Sequence, residues 1–388
     1  MGTIEEPPEL DWNVVQELLP ADWRELADKH KLIPQNLPPH LGAKVKTIDQ
    51  ILRLVLYMVA RNVGQQVAAA MFAAAGLLDI SHVALHKWMK KLGPYLAELV
   101  AAMVVGAHAA FASERWAGYE LIAVDATCVQ RPGDKGTTSR VHRALRLLDL
   151  RVYEAHVTTK KVGETFRNFV PQPRQLWLGD RAYANPPGIA WVKSHQAQVL
   201  VRFNRGALPL YDARGNELDM LAKLTCRLRK PGKIGEWQVF VHPADAPCIE
   251  GRLCAVRLPP DKAQQARVRL RREQGADLTA QSLAMADFVA VFTTVPCSEL
   301  SSEQVLSLYG LRWQIELDFK RDKSGTKLDL LPYFLEKTIE TWIYAKLLLH
   351  QLLRKLADSS GSQAAFPPSR FADLIGPAVD RQGARTSR

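Results

Sequence analysis

The sequence predicts an α/β fold: a mixed five-stranded sheet flanked by helices, preceded by an all-helical segment and interrupted by a β-rich insertion. Three observations carry this reading. Residues 1–114 show helical periodicity. From Tyr119 the texture changes to alternating and buried apolar runs in the order β-β-β-α-β-α-β, an antiparallel meander extended by parallel crossovers. Between about residues 205 and 285 that rhythm breaks, and it resumes at ADFVAVFTTV.

The helical segment contains a periodic stretch from Ile48 to Val63 and a second from Val67 to Phe72 that stops at Gly76, a C-cap signal. The third begins at Ser81, an N-cap residue, and carries Lys87, Trp88, Lys90 and Lys91. Helix, short turn, helix fits a basic helix presented to a DNA groove, and fits equally a bundle with a solvated lysine face. The strands follow as YELIAVDAT, RVHRALRLLDL, YEAHVTT, QLWLGDRAY and QVLVRFN, with GETFRNF as a short helix and PGIAWVKSHQ as a longer one. The insertion holds EWQVFVH, RLCAVRL and the basic helical stretch KAQQARVRLRREQG. A long helix starts near Ser302, and the Ser- and Pro-containing tail after Ser359 reads as flexible.

A chain of 388 residues suits two or three domains. The boundaries drawn are 1–114, 115–336 with the insertion inside it, and 337–388 for a C-terminal helix and tail. Its 51 basic against 40 acidic side chains leave a charge of +11, which favours a polyanionic partner. A membrane partner fits poorly. The longest apolar run, Leu99 to Ala112, falls short of the ~20 residues of a spanning helix and contains His108. No signal peptide is read at Met1, and five cysteines without a CxxC pair argue for reduced thiols in a cytoplasm, against disulfides or structural zinc.

Asp125 and Asp180 each follow a buried strand, where a carboxylate lands at the carboxyl edge of the sheet, the usual ligand-binding edge of open α/β sheets. The stretch SLYGLRWQIELDFKRDKSGTK adds a third acid. At ~100° per residue from Arg312, Glu316 falls at about 40°, Lys323 at about 20°, and Tyr309, Lys320 and Lys327 at about 60–80°. Leu308, Leu311, Ile315 and Phe319 fall at about 260–340° and form a separate, core-facing seam. One carboxylate among four cations suits a site that holds a metal and phosphates better than a surface ion-pair ladder. Asp125, Asp180 and Glu316, with no histidine or cysteine beside them, are hard oxygen ligands suited to Mg²⁺ or Mn²⁺, two ions being expected. Such a pair supports in-line phosphodiester displacement, with Arg312 and Lys323 on phosphate oxygens.

The spacing Tyr309, two residues, Arg312, three, Glu316, six, Lys323 resembles the Y-R-E-K signature of bacterial insertion-sequence transposases of the DDE class. AVDATCVQRPG and GDRAYA are similar to that family's first and second aspartate blocks, and Asp180 to Glu316 (316 − 180 = 136) leaves room for its insertion. The helical segments TIDQILRLVLYMV and DISHVALHKWMKKLGPYL also resemble the family's N-terminal region. The resemblance covers roughly residues 45–350. It implies a ribonuclease-H-like core, an N-terminal DNA-binding domain, and cut-and-paste transposition on double-stranded transposon ends and target DNA. It further implies a synaptic homodimer, a hairpin intermediate, and Tyr309, Arg312 and Lys323 as phosphate holders.

Two departures stand beside it. Trp237 is the one tryptophan of the insertion and lies far upstream of Glu316, so a base-stacking role does not transfer to it. The stretch beyond TWIYAKLLLHQLLRKL is brief, which leaves open a second reading, a shortened, non-transposing DNA-binding copy that regulates or inhibits. Arg181 is read as a DNA-phosphate contact or a surface ion pair, His142 as a packed or exposed strand histidine and not a ligand, and the arginines at 267, 269, 271 and 272 as a backbone-following face or a solvated helix.

Overall fold

The structure is a computed structural model that describes residues 12–33, 44–105, 114–130, 136, 138–275, 278–331, 336–359 and 367–377. The opening residues, most of the apolar run's end (106–113) and much of the proline-containing tail therefore lie outside the described residues. Among the described residues, no helix is long and apolar enough to cross a membrane.

Among the described residues, eight strands form one sheet: β1 (Glu120–Val129), β2 (Ser139–Arg146), β3 (Arg151–Thr159), β4 (Gln175–Gly179), β5 (Gln198–Arg202), β6 (Ile234–Val241), β7 (Ile249–Arg257) and β8 (Phe288–Thr293). Their order is β3-β2-β1-β4-β5-β8-β7-β6. The first five reproduce the expected pattern, with β1, β4 and β5 parallel and β2 antiparallel to β1 and β3, the ribonuclease-H-like arrangement. The insertion strands β6 and β7 do not stand apart, because β8 pairs antiparallel with both β5 and β7 and carries them onto the same sheet.

Successive residues of β1 serve opposite faces, as a pleated strand requires. Leu121 and Ala123 enter one core with the N-terminal helices, and Ile122 and Val124 enter the other with Trp177 and Phe166. Every residue of β4 is buried, consistent with a parallel strand covered on both faces.

Among the described residues, six α-helices precede the sheet: α1 (Trp12–Leu18), α2 (Trp23–Lys29), α3 (Ile48–Arg61), α4 (Gln65–Ala74), α5 (His82–Met89) and α6 (Gly93–Val105). A capping box between Thr47 and Gln50 starts α3, and nearly all of its middle is buried, so it runs through the layer's interior. Gly76 takes φ +68 just past α4, and Leu77 N donates back to Phe72 O at 3.0 Å, the left-handed stop the sequence signals. Ser81 caps α5 through Ala84 N.

Between the strands lie α7 (Pro186–Ser194), α8 (Met220–Arg227), α9 (Pro260–Gln274) and α10 (Ala280–Met285). After β8 come α11 (Ser302–Leu311), α12 (Trp313–Gly325), α13 (Glu336–Ser359) and α14 (Pro368–Ile375). The N-terminal helices share one continuous apolar core with α13 and one sheet face. The tail read as flexible contains α14, whose Phe371, Ala372 and Ile375 are buried, and whose Asp373 pairs with Arg61 of α3. Three apolar side chains at helical spacing suffice to dock it.

Candidate active site

Register decides where the two aspartates meet. β1 and β4 run parallel with Ala123 opposite Leu178, and two residues beyond that pair stand Asp125 and Asp180. Each carboxylate is fixed by its own backbone: Ala126 N donates to Asp125 Oδ1 and Ala182 N to Asp180 Oδ1, both at 2.8 Å. The residue before Asp180 has to be glycine, because a Cβ on Gly179 would stand 2.6 Å from Tyr183 Cβ and 3.0 Å from the Phe166 ring.

A third carboxylate joins them that sequence reasoning missed. Glu164, in the loop between β3 and the 3₁₀ turn Phe166–Asn168, offers an oxygen that lies with those of Asp125 and Asp180 within 4.8 Å of one another. Burial pushes the Asp125 carboxyl up to about 7, with the charges of Asp180 and Glu164 adding to the rise against the Ala126 N–H and Arg312. Burial likewise raises Glu164, helped by Asp180 and opposed by Arg140. Three carboxylates converging in a half-buried place, two of them (Asp125 and Glu164) held back from ionising, make a position where a cation is favoured. The donors are all hard oxygens, which fits Mg²⁺ or Mn²⁺.

Glu316 approaches from the other side, on α12. The predicted single helix is two, α11 and α12, joined at Arg312, where Arg312 N and Ile315 N both reach back only three residues. Arg312 Nη2 donates to Glu316 Oε1 at 2.5 Å. Asp180, Glu316, Arg312, Tyr309, Arg181 and Arg202 line one cavity of about 730 Å³. Lys320, Lys323 and Lys327 stay exposed outside that lining. Lys327 lies past the end of α12 with φ +53, so the helical phase assigned to it from sequence does not apply.

Helix α12 is held against β2 and α13 by a buried ion network. Arg143, opposite Asp125 in the β1–β2 register, reaches Asp318 at 2.6 Å and Asp322 at 2.5 Å. His350 of α13 bonds Asp322, and the Arg143 guanidinium lies 4.7 Å from the Phe319 ring centre. Burial works against the Arg143 charge, and Asp322 and Asp318 more than restore it. Glu316 therefore sits on a helix whose rotation is fixed by its opposite face.

Comparison with known proteins decides the family. Residues 116–352 match the family described as "Transposase DDE domain", a span that contains Asp125, Glu164, Asp180 and Glu316. The chain belongs to the DDE transposases. The transposase is 31% identical over 298 residues to the putative transposase InsL for insertion sequence element IS186A of Escherichia coli strain K12, covering 74% of this chain and 78% of that protein. It shows the same identity and coverage with the Escherichia coli transposase for insertion sequence element IS421. A cryo-EM structure of the piggyBac transposase synaptic complex with hairpin DNA aligns at TM-score 0.44 and 10% identity, over 94% of this chain and 79% of that one. Membership brings nuclease and transesterification chemistry and the use of a divalent metal.

Several neighbours of the transposase's site carried no sequence signal of their own. Arg202, at the end of β5, lines the cavity, and burial brings it down to about 10, still a cation at neutral pH. A basic residue closing a buried strand at the same sheet edge as the two aspartates is the pattern that would have found it. Lys262 of α9 also faces the cavity, together with Arg269, which the sequence does single out as part of a basic helical face, so the basic helix of the insertion closes one wall. Arg267 of that helix pairs with Asp287 instead. Trp237 packs beside the second core with Arg227 above its ring, away from the cavity lining. Of the two strand placements open to it, His142 takes the packed one: it is buried between Thr158 and Asn168 and lowered to about 4 by burial first, which keeps it neutral.

Proposed function

We propose that this transposase cleaves double-stranded DNA at the ends of its element and joins them to a target, by cut-and-paste through a hairpin, with Asp125, Asp180 and Glu316 as its catalytic carboxylates. The observation that carries the reading is the parallel register of Asp125 and Asp180 at one sheet edge, beside a cavity that Glu316 enters with Tyr309 and Arg312. The three acids would hold two Mg²⁺ or Mn²⁺ ions. Bound there, the ions would supply a more acidic water or hydroxyl nucleophile and stabilise the leaving oxygen.

The chain's own residues bind and orient the DNA. Arg312 offers a fork for non-bridging phosphate oxygens, and a phosphate there would compete with Glu316 for it. Burial first, against the nearby arginines, raises Tyr309, which keeps its phenol protonated as a donor. Arg202 and Arg181 add positive charge to the same wall. Lys320, Lys323 and Lys327 lie along the exposed approach, suited to DNA beyond the scissile phosphate. We assign the helices of residues 1–114 to end recognition, the core of 115–336 to catalysis with its insertion as a DNA-facing wall, and residues 337–388 to support of the core. A homodimer working on paired ends in the bacterial cytoplasm, at the nucleoid, completes the reading.

Purified protein incubated with Mg²⁺ and a pre-cleaved end duplex tests it, joined product being scored. Joining by the wild type, lost in Asp125→Asn, Asp180→Asn and Glu316→Gln with end binding retained, is expected. Binding without any joining by the wild type would instead mark a non-transposing DNA-binding copy.

A further inference from the structure

We infer that Glu164 is a ligand of a divalent-cation site formed with Asp125 and Asp180 before DNA binds, a site that does not require Glu316. The inference rests on the catalytic reading of the two aspartates and extends it.

Geometry selects these three acids and leaves Glu316 out. An oxygen from each of Asp125, Glu164 and Asp180 lies within 4.8 Å of the others, and Glu316 is engaged by Arg312 at 2.5 Å. Among the described residues, no cationic side chain is ion-paired with Asp125 or Asp180, and Arg140 stands 3.7 Å from Glu164. Arg140 beside Glu164, and Arg312 acting on Asp125 while bonded to Glu316, still leave three converging carboxylates short of positive charge.

An independent observation points the same way. Tyr183 is fully buried, and its hydroxyl hydrogen-bonds to nothing among the described residues. That hydroxyl lies in the fields of Asp125, Glu164 and Asp180 together. A buried hydroxyl without a partner gives up the hydrogen bond it would make to water. A hydrated cation seated on the three carboxylates would present a water to it. Phe166 packs against Tyr183 with ring centres 5.2 Å apart and fixes the phenol in this position.

The loop that carries Glu164 is built to present it. Arg140 Nη1 donates to Val162 O at 2.7 Å, Asn168 Nδ2 donates to Gly163 O at 2.9 Å, and Thr165 caps the 3₁₀ turn that follows. Glu164 thus leaves a backbone anchored on both sides. Three carboxylates without nitrogen or sulfur suit Mg²⁺ or Mn²⁺.

The test is Mn²⁺ titration of the full-length, DNA-free protein, followed by the electron paramagnetic resonance of free Mn²⁺. The wild type should bind one ion at this site, Glu316→Gln should bind it equally, and Glu164→Gln should bind it at least roughly tenfold more weakly. With chelator present, Glu164→Gln should melt no lower than the wild type, because it removes one of three repelling charges. A lower melting temperature there would overturn the assignment in favour of a structural pair with Arg140. Wild-type affinity in Glu164→Gln or in Glu164→Ala would also overturn it. If that result came with lost binding in Asp125→Asn, the catalytic reading would survive without Glu164. Unchanged binding in both aspartate variants would remove the cation site altogether, and retained strand joining in those variants would separately sink the catalytic reading.

Discussion

Arg312 and Glu316 are bonded to each other at 2.5 Å across one turn of α12, and Arg312 also lies in the field of Asp125. One guanidinium therefore links the helix acid to the strand acid. The pair is part-exposed, so its direct contribution to stability is about 0–1 kcal/mol. Arg312→Ala should consequently change the melting temperature little while lowering strand joining at least ~100-fold, the scale of losing one preorganised charge at a reacting group. Arg312→Lys should recover part of the rate, since a point charge replaces a fork. Joining at wild-type rate in the alanine variant would detach Arg312 from the chemistry.

The clamp behind that helix makes a different demand. Arg143 is fully buried between Asp318 and Asp322, and removing one member of such a network strands the others. Arg143→Met should lower unfolding free energy by about 3–5 kcal/mol in urea denaturation. A loss under about 1 kcal/mol would show that the network is not what holds α12.

The same network sets an acid limit. Burial alone would raise Asp322, but Arg143 and His350 outweigh it and hold the carboxyl down to about 2. The folded value lies below the unfolded value of ~3.9, so this contribution is fully present above about pH 4 and is lost as pH falls toward 2. Between pH 5 and 2 the wild type should lose stability more steeply than Asp322→Asn, which starts less stable. Parallel declines would remove Asp322 as the source.

Gly179→Ala places a methyl against Tyr183 and Phe166 immediately before Asp180. Overpacking of this kind costs about 1–3 kcal/mol, and the strand end has to shift to accommodate it. Strand joining should fall further than thermal stability. An unaffected melting temperature and rate would mean the ring moves aside freely.

Much of this arrangement is legible in the sequence because it is periodic or fixed in spacing. The apolar runs leading into Asp125 and Asp180 read directly from the sequence, although β1 continues past Asp125 to Val129 while β4 stops just before Asp180, and the Tyr309–Arg312–Glu316–Lys323 spacing marks the helix. What escapes is set by long-range pairing. Glu164 sits in a short loop with no pattern of its own, and it reaches the aspartates because Arg140, on β2, ties that loop down. Asp318 and Asp322 look like solvated charges on a polar helix until Arg143, 175 and 179 residues away, buries them. The union of β6 and β7 with the main sheet depends on β8 pairing on both edges, which strand patterns do not encode. The docking of α14 turns on three side chains within a segment whose composition reads as a tail.

An anomalous difference map of Mn²⁺-loaded crystals of the protein with a pre-cleaved end duplex addresses the convergence of the three acids most directly. The expected map has two peaks, one bonded by Asp125 and Asp180 and one reached by Glu316, with Arg312 turned from Glu316 to the DNA phosphate. A map in which Glu316 stays on Arg312, with no peak against its carboxylate, would contradict the account.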